Sequence, residues 1–174
     1  MTGAQRTLAP DTARHPALKI LRRALNVAKE PDPDFVATYD QFGHSLHLLA
    51  CVLTDDAKLA ENLVAQTIAK HQTGPSTLRK LSADIHASWL AEGQPPLSAE
   101  SSSLVETSSG ALTLHDIHRL SADQRVALGL CKYGGHTYRQ AADLLDFSPE
   151  QVTRLLCDAL RSLATSNFKP TTAA

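Results

Sequence analysis

The sequence predicts an all-α protein made of two small helical domains joined by a flexible linker. Leu and Ala supply most of the 43% hydrophobic residues, and aromatic residues make up only 5%, a composition that favours helices over sheets. Apolar residues recur at intervals of three and four, which is the helical period. A segment rich in Ser, Gly, Pro and Glu near the middle of the chain buries little apolar surface and reads as the linker.

Three helices are predicted in the first domain, residues 34–91. The run Thr54-Asp55-Asp56 supplies capping oxygens and negative charge at the start of the second helix. Pro75 interrupts that helix, and Ser76 is the predicted cap of the third. The predicted helices cover residues 34–54, 56–71 and about 76–90.

The second domain, residues 112–166, is also predicted to be helical. Ser121 and Gln124 have the spacing of a capping box. The pair Gly134-Gly135 ends the helix that follows. The predicted helices cover residues 112–120, 121–133, 138–145 and 149–165, with Thr137 capping the third and Ser148-Pro149 beginning the last.

The remaining segments are predicted to lie outside both domains. Residues 92–111 form the predicted linker. Residues 1–33 form a tail that includes a short basic amphipathic helix at 17–29, and residues 167–174 form the second tail. The basic helix suits nucleic acid or membrane contact as well as packing with a solvated basic face, and the sequence leaves these alternatives open.

The last two predicted helices have the spacing of a helix-turn-helix. Ala141 and Ala142 are small enough for close helix approach. Asp146 or its neighbour must adopt the positive φ of the turn, and Asp is among the few residue types other than Gly that do so at moderate cost. Gln151 and Arg154 carry donors suited to adenine and guanine edges. The solvent side of the last helix presents Glu150, Gln151, Thr153, Arg154, Asp158 and Arg161.

The segment LHDIHRLSADQRVALGLCKYGGHTYRQAADLLDFSPEQVTRLLCDALRSL resembles region 4 of extracytoplasmic-function sigma factors. The residues that match the family pattern are Arg125, Gly135, Thr137, Tyr138, Ala142, Ser148, Val152, Ala159 and Leu163. The segment YDQFGHSLHLLACVLTDDAKLAENLVAQTIAKH is similar to region 2, with matches at Ala60, Glu61, Leu63 and Val64. The two resemblances together cover about residues 34–165.

The resemblance implies a cytoplasmic, non-enzymatic transcription protein that needs no cofactor and no metal. Its implied partners are core RNA polymerase, promoter DNA and a regulatory protein such as an anti-sigma factor, with no membrane. The implied DNA-binding residues are Thr137, Arg139, Ser148, Gln151, Thr153, Arg154 and Arg161. The implied polymerase-binding residues are Glu61, Asn62, Ala65 and Gln66.

The charge distribution supports a second hypothesis, a sigma-like regulator that binds a protein and not DNA. The formal net charge is −1, although DNA-binding domains usually present a basic face. Thr153, Leu155 and Asp158 stand where the family usually carries Lys and Arg in its recognition helix. Fewer phosphate contacts would lower affinity for DNA.

Two histidine pairs favour a third hypothesis, a metal- or pH-responsive sensor. The pairs His44/His47 and His115/His118 have a spacing that places both rings on one helix face. Neither pair has Glu or Cys at a recognised ligand spacing, so packing or surface histidines are the preferred interpretation. The three cysteines are far apart and form no CxxC motif, and no catalytic motif is present in the sequence.

Overall fold

The computed structural model describes residues 33–71, 76–93 and 114–167, which form seven helices and no strand. The helices are α1 (Pro33–Thr54), α2 (Ala57–Lys70), α3 (Leu78–Ala91), α4 (Leu114–His118), α5 (Ala122–Lys132), α6 (Tyr138–Leu145) and α7 (Pro149–Asn167). The predicted all-α fold class is confirmed. The observed bounds lie within two residues of the predicted ones.

Local capping explains where α2 and α5 begin. The Asp56 carboxylate accepts hydrogen bonds from the backbone N–H groups of Lys58 and Leu59, at 2.7 and 3.2 Å. In α5, the Ser121 hydroxyl accepts from the Gln124 N–H at 3.3 Å, and the Gln124 side chain accepts from the Ser121 N–H at 3.1 Å. These contacts satisfy backbone donors that a helix start otherwise leaves without partners.

The cap of α3 differs from the prediction. Thr77, and not Ser76, is the capping residue, and its hydroxyl accepts from the Lys80 N–H at 3.4 Å. The Ser76 hydroxyl instead donates to the His71 carbonyl at 3.5 Å. Two adjacent hydroxyl residues precede the helix, and the sequence pattern does not distinguish which one caps it.

The core draws on helices from both sides of the segment 94–113. The larger buried cluster includes Phe35, Leu46 and Leu49 of α1, Leu63 and Ile68 of α2, Leu81, Ile85 and Trp89 of α3, Val126 and Leu130 of α5, and Val152 of α7. A second cluster joins Val52 of α1 to Ile117, Leu120, Leu128, Ala159 and Leu163. We call residues 33–93 the first segment and residues 114–167 the second segment. Their division into two domains stays a prediction.

Gly129 allows α5 to approach α1 closely. A Cβ atom at Gly129 would lie 3.0 Å from Leu49 Cδ1 and 3.2 Å from Val52 Cγ1. Both distances are shorter than ordinary van der Waals contact, so a larger residue would require the Leu49 and Val52 side chains to shift. Because Gly129 has no side chain, the first segment can pack closely against the second at this point.

Polar contacts also join the two segments, and we call this contact region the inter-segment interface. His118 Nδ1 lies 2.7 Å from the Asp55 carboxylate, and His118 Nε2 lies 3.0 Å from the Cys51 carbonyl oxygen. The Ser82 hydroxyl lies 3.0 Å from the Gly134 carbonyl oxygen. Such contacts are directional, and they fix the register in which the two apolar surfaces meet.

Arg125 is the most unusual buried residue of the second segment. Its side chain is only 2% exposed, and within the described residues its Nε and Nη1 atoms have no hydrogen-bond partner. Burial lowers the pKa of the guanidinium, while the nearby Asp55 carboxylate acts in the opposite direction. Arg125, which matches the family pattern in the sequence, is therefore enclosed by protein and is not available to a phosphate group.

Several predicted features lie outside the described residues. These are the basic helix at 17–29, nearly all of the linker at 92–111, and residues 168–174. Within the described ranges, none of the helices combines the length and apolar character that a membrane crossing requires.

Candidate nucleic-acid interface

The helices α6 and α7 are joined by a tight turn at Asp146. α6 begins at Thr137, whose hydroxyl accepts from the Gln140 N–H at 3.3 Å while the Gln140 side chain accepts from the Thr137 N–H at 3.0 Å. It ends at Asp146, which adopts the left-handed conformation with φ 54° and ψ 40°. The expected positive φ at Asp146 is thus present. We call residues 137–167 the α6–α7 unit.

Small and branched residues pack the two helices together. Ala141 and Ala142 are 0% and 1% exposed, and Val152 of α7 is 0% exposed. Leu145 and Phe147 are half-buried against the same cluster. The close approach that the two alanines predicted is therefore observed, and it fixes the orientation of α7 on α6.

All seven side chains predicted to bind DNA lie on this unit and are exposed. They are Thr137, Arg139, Ser148, Gln151, Thr153, Arg154 and Arg161. Several of them already have partners within the protein. The Thr153 hydroxyl donates to the Pro149 carbonyl oxygen at 2.8 Å, so its methyl group and the lone pairs of its oxygen are left for a ligand.

Ser148 and Gln151 form a capping box at the start of α7. The Ser148 hydroxyl accepts from the Gln151 N–H at 3.2 Å, and Gln151 Oε1 accepts from the Ser148 N–H at 2.7 Å. The Ser-x-x-Gln spacing in the sequence already indicated a capping box. The prediction that both residues bind DNA did not take this capping role into account. The Gln151 side-chain oxygen thus accepts one hydrogen bond from the helix start and keeps a second lone pair.

The three arginines of the unit differ in their surroundings. Arg139 Nε donates to the Tyr138 hydroxyl at 3.1 Å, and its guanidinium lies 5.7 Å from the Tyr138 ring centroid. Arg161 Nη1 donates to Asp158 at 2.7 Å. Within the described residues, Arg154 has no such partner, so its five donors remain free for an external acceptor.

A cleft of about 610 Å³ lies between α6 and the first turn of α7. Its lining residues are Tyr138, Arg139, Asp143, Pro149, Glu150 and Thr153. The Glu150 pKa is lowered by hydrogen bonds from its own backbone N–H and from the Ser148 hydroxyl. The cleft thus combines one cation with two acidic side chains, and its charge is mixed rather than strongly basic.

The predicted polymerase-binding residues lie on α2 but do not form one exposed patch. Gln66 is exposed, and Asn62 is half-buried. Glu61 is half-buried. Burial raises the pKa of the Tyr39 phenol of α1, and the charges of Glu61 and Asp40 raise it further. Ala65 is 0% exposed. The prediction that Ala65 belongs to the polymerase-binding surface is therefore wrong, because no part of its side chain reaches the surface.

The histidine pairs make separate contacts. His47 Nε2 lies 3.5 Å from Cys51 Sγ, while His44 of the same pair is exposed. His118 contacts Asp55 across the inter-segment interface. Among residues 33–71, 76–93 and 114–167, no group of three or more His, Cys, Asp or Glu side chains is arranged to hold a metal ion.

One solved structure relates this fold to a known protein. It is the sigma factor RpoE from Bartonella quintana in complex with the anti-sigma factor NepR, with a TM-score of 0.56 and 18% sequence identity. The alignment covers 77% of this chain and 96% of that chain. The chain has a sigma-factor-like fold. No protein-family model and no curated protein matches the sequence.

Proposed function

We propose that the protein is a sigma-like transcription regulator, which binds core RNA polymerase through its first segment and promoter DNA through the α6–α7 unit. The observation that carries the proposal is the α6–α7 unit itself. Its two capped helices meet at the left-handed residue Asp146, and the second helix presents the exposed Arg154, which has no partner among the residues that the structure describes. This is the arrangement in which a recognition helix enters the major groove.

The likeness to a sigma factor along most of the chain supports the same proposal. A sigma role requires the compartment that contains RNA polymerase, so we propose a cytoplasmic location. On the first segment, the contact surface that we propose consists of Glu61, Asn62 and Gln66, which α2 places at or near the surface. This surface carries one carboxylate, so we expect charge pairing with polymerase to be modest.

A second candidate function is that of a protein-binding regulator without DNA contact. It is favoured by the ion pair of Arg161 with Asp158 and by the acidic side chains of Asp143 and Glu150 beside Arg139 in the cleft, which offset part of the positive charge of the unit. The similar solved sigma factor is bound to an anti-sigma factor, so we propose a regulatory protein of that kind as a partner under either function.

Retention on immobilised core RNA polymerase, followed by run-off transcription on genomic fragments, distinguishes these functions. Retention with specific transcripts supports a sigma factor. Retention without transcripts, together with no binding of duplex DNA, supports the protein-binding regulator. If the protein is neither retained nor able to bind duplex DNA, the proposed function is wrong.

A further inference from the structure

A cavity of about 180 Å³ lies at the inter-segment interface and shares no lining residue with the cleft between α6 and α7. The first segment contributes Trp89 and Leu90 of α3 to its lining. The second segment contributes Val126 of α5, Leu144 of α6 and Phe147 of the turn after α6. Small-molecule sites occur preferentially at interfaces between packed units of this kind. We call this space the Trp89 cavity.

The size of the Trp89 cavity suits a ligand no larger than a substituted benzene. A cavity of about 150 Å³ that is lined by Leu, Ile and Phe is large enough to bind benzene. The Trp89 cavity is slightly larger, and its lining is also mainly aliphatic and aromatic. Leu90 and Leu144 are exposed, so the cavity borders the surface and a ligand can enter from solvent.

Trp89 supplies a hydrogen-bond donor that lacks an acceptor. Its side chain is only 4% exposed, and within the described residues its indole Nε1 atom has no hydrogen-bond partner. A buried donor without an acceptor is costly, and native proteins usually satisfy such groups. A water molecule held there would need about two to four polar partners, and the mainly apolar lining provides few. The indole N–H therefore favours a ligand that combines an apolar body with an acceptor.

The charges around the cavity disfavour an anionic acceptor. Among its described lining residues, the one acidic side chain is Asp123, and there is no Lys or Arg. Burial and the charge of His136 lower the pKa of His86, the histidine of the lining, so its ring is neutral at neutral pH. An anion in the cavity would therefore be buried without a partner, which is strongly unfavourable. The acceptor of the ligand must be neutral.

We propose that the Trp89 cavity binds a small neutral aromatic molecule with a carbonyl-type oxygen, which accepts a hydrogen bond from the Trp89 indole N–H. Both segments line the cavity, so the ligand contacts them together and stabilises the inter-segment interface. None of the lining residues is among those proposed for DNA or polymerase contact. The inference therefore goes beyond the proposed function and does not depend on it.

The test is an NMR titration of the full-length protein with acetophenone, ethylbenzene and benzoate. Trp89 is the only tryptophan of the chain, so one indole N–H cross-peak reports on the cavity. Acetophenone is expected to shift this peak downfield until saturation and to raise the urea midpoint of unfolding. Ethylbenzene, which lacks the carbonyl oxygen, should bind about tenfold more weakly, because one net hydrogen bond contributes about that factor. Benzoate should leave the peak in place.

Two variants test the site itself. Ala122 lines the cavity but is exposed, so Ala122→Leu fills space there with little effect on folding, and it should abolish binding of acetophenone and of ethylbenzene. Trp89→Phe keeps an aromatic ring but removes the donor. Ligand-observed NMR should then find similar affinities for acetophenone and ethylbenzene.

The outcomes separate this inference from the proposed function. If acetophenone leaves the indole peak unmoved, or if ethylbenzene binds the wild type as tightly, the inference is wrong. Unchanged acetophenone affinity in Ala122→Leu would place the binding elsewhere on the protein and would also overturn it. Each of these results leaves the proposed polymerase and DNA contacts standing, because retention and transcription test those separately.

Discussion

Ser82 of α3 and His136, which lies just before α6, are in direct contact across the inter-segment interface. The Ser82 hydroxyl lies 2.8 Å from His136 Nε2 and 3.0 Å from the Gly134 carbonyl oxygen. Ser82 is 0% exposed, so water does not substitute for these contacts. The contact ties the first segment to Gly134 and His136, which lie in the turn between α5 and α6.

We expect Ser82→Ala to destabilise the protein, because it leaves the Gly134 carbonyl and the His136 ring without their partner. The expected loss is about 1 kcal/mol, measured as a lower midpoint in urea unfolding. Ser88→Ala on the same helix is the matched control, since Ser88 is only half-buried and alanine favours helix formation. Equal effects of the two variants would mean that the interface contact contributes nothing.

The same contact predicts a pH dependence. Burial lowers the pKa of the His136 imidazole below its ordinary 6.5, a backbone hydrogen bond with Arg79 opposes this, and the Arg79 charge lowers the pKa again. Burial and the His136 ring lower the pKa of His86 too. The folded protein therefore favours the neutral rings. Below pH 6.5 the unfolded chain binds more protons, so stability falls as the pH falls through that value towards the folded pKa.

The measurement is the urea midpoint of wild-type protein and His136→Gln between pH 7.5 and about 5. The variant is expected to lose less stability over this range, because one of the three imidazoles whose pKa burial lowers, those of His47, His86 and His136, no longer titrates. The comparison with the wild type isolates the contribution of His136 from that of every other group in the protein. Identical pH profiles would exclude His136 as a contributor.

Local sequence signals predicted the helices and their caps well, and long-range contacts escaped prediction for a physical reason. The capping box at Ser121 and the left-handed Asp146 depend on residues within a few positions of each other. The Ser82 contact with Gly134 joins residues 52 positions apart, and no local pattern encodes it. Arg125 fitted a family pattern, but only the packing of the two segments reveals that it is buried.

The turn between α6 and α7 gives a prediction about backbone strain. A residue with a Cβ atom at φ 54° is strained by roughly 1–2 kcal/mol, and Asp reduces this cost through its short polar side chain. We expect Asp146→Val to lower the urea midpoint, whereas Asp146→Gly retains or raises it because glycine adopts this conformation freely. If both substitutions are equally destabilising, the Asp146 side chain matters through contacts and not through conformation.

The arginines of α7 provide the most direct test of DNA binding. Arg154 has no partner within the described residues, whereas Arg161 is paired with Asp158 at 2.7 Å. If Arg154 binds a guanine, Arg154→Ala should weaken promoter binding by about 1–3 kcal/mol and relax specificity at that base. Arg161→Ala should cause a smaller loss, because its charge is already partly compensated and a surface pair of this kind contributes little. Fluorescence anisotropy titrations at several salt concentrations measure both effects, and equal losses with unchanged specificity would assign Arg154 to phosphate contact alone.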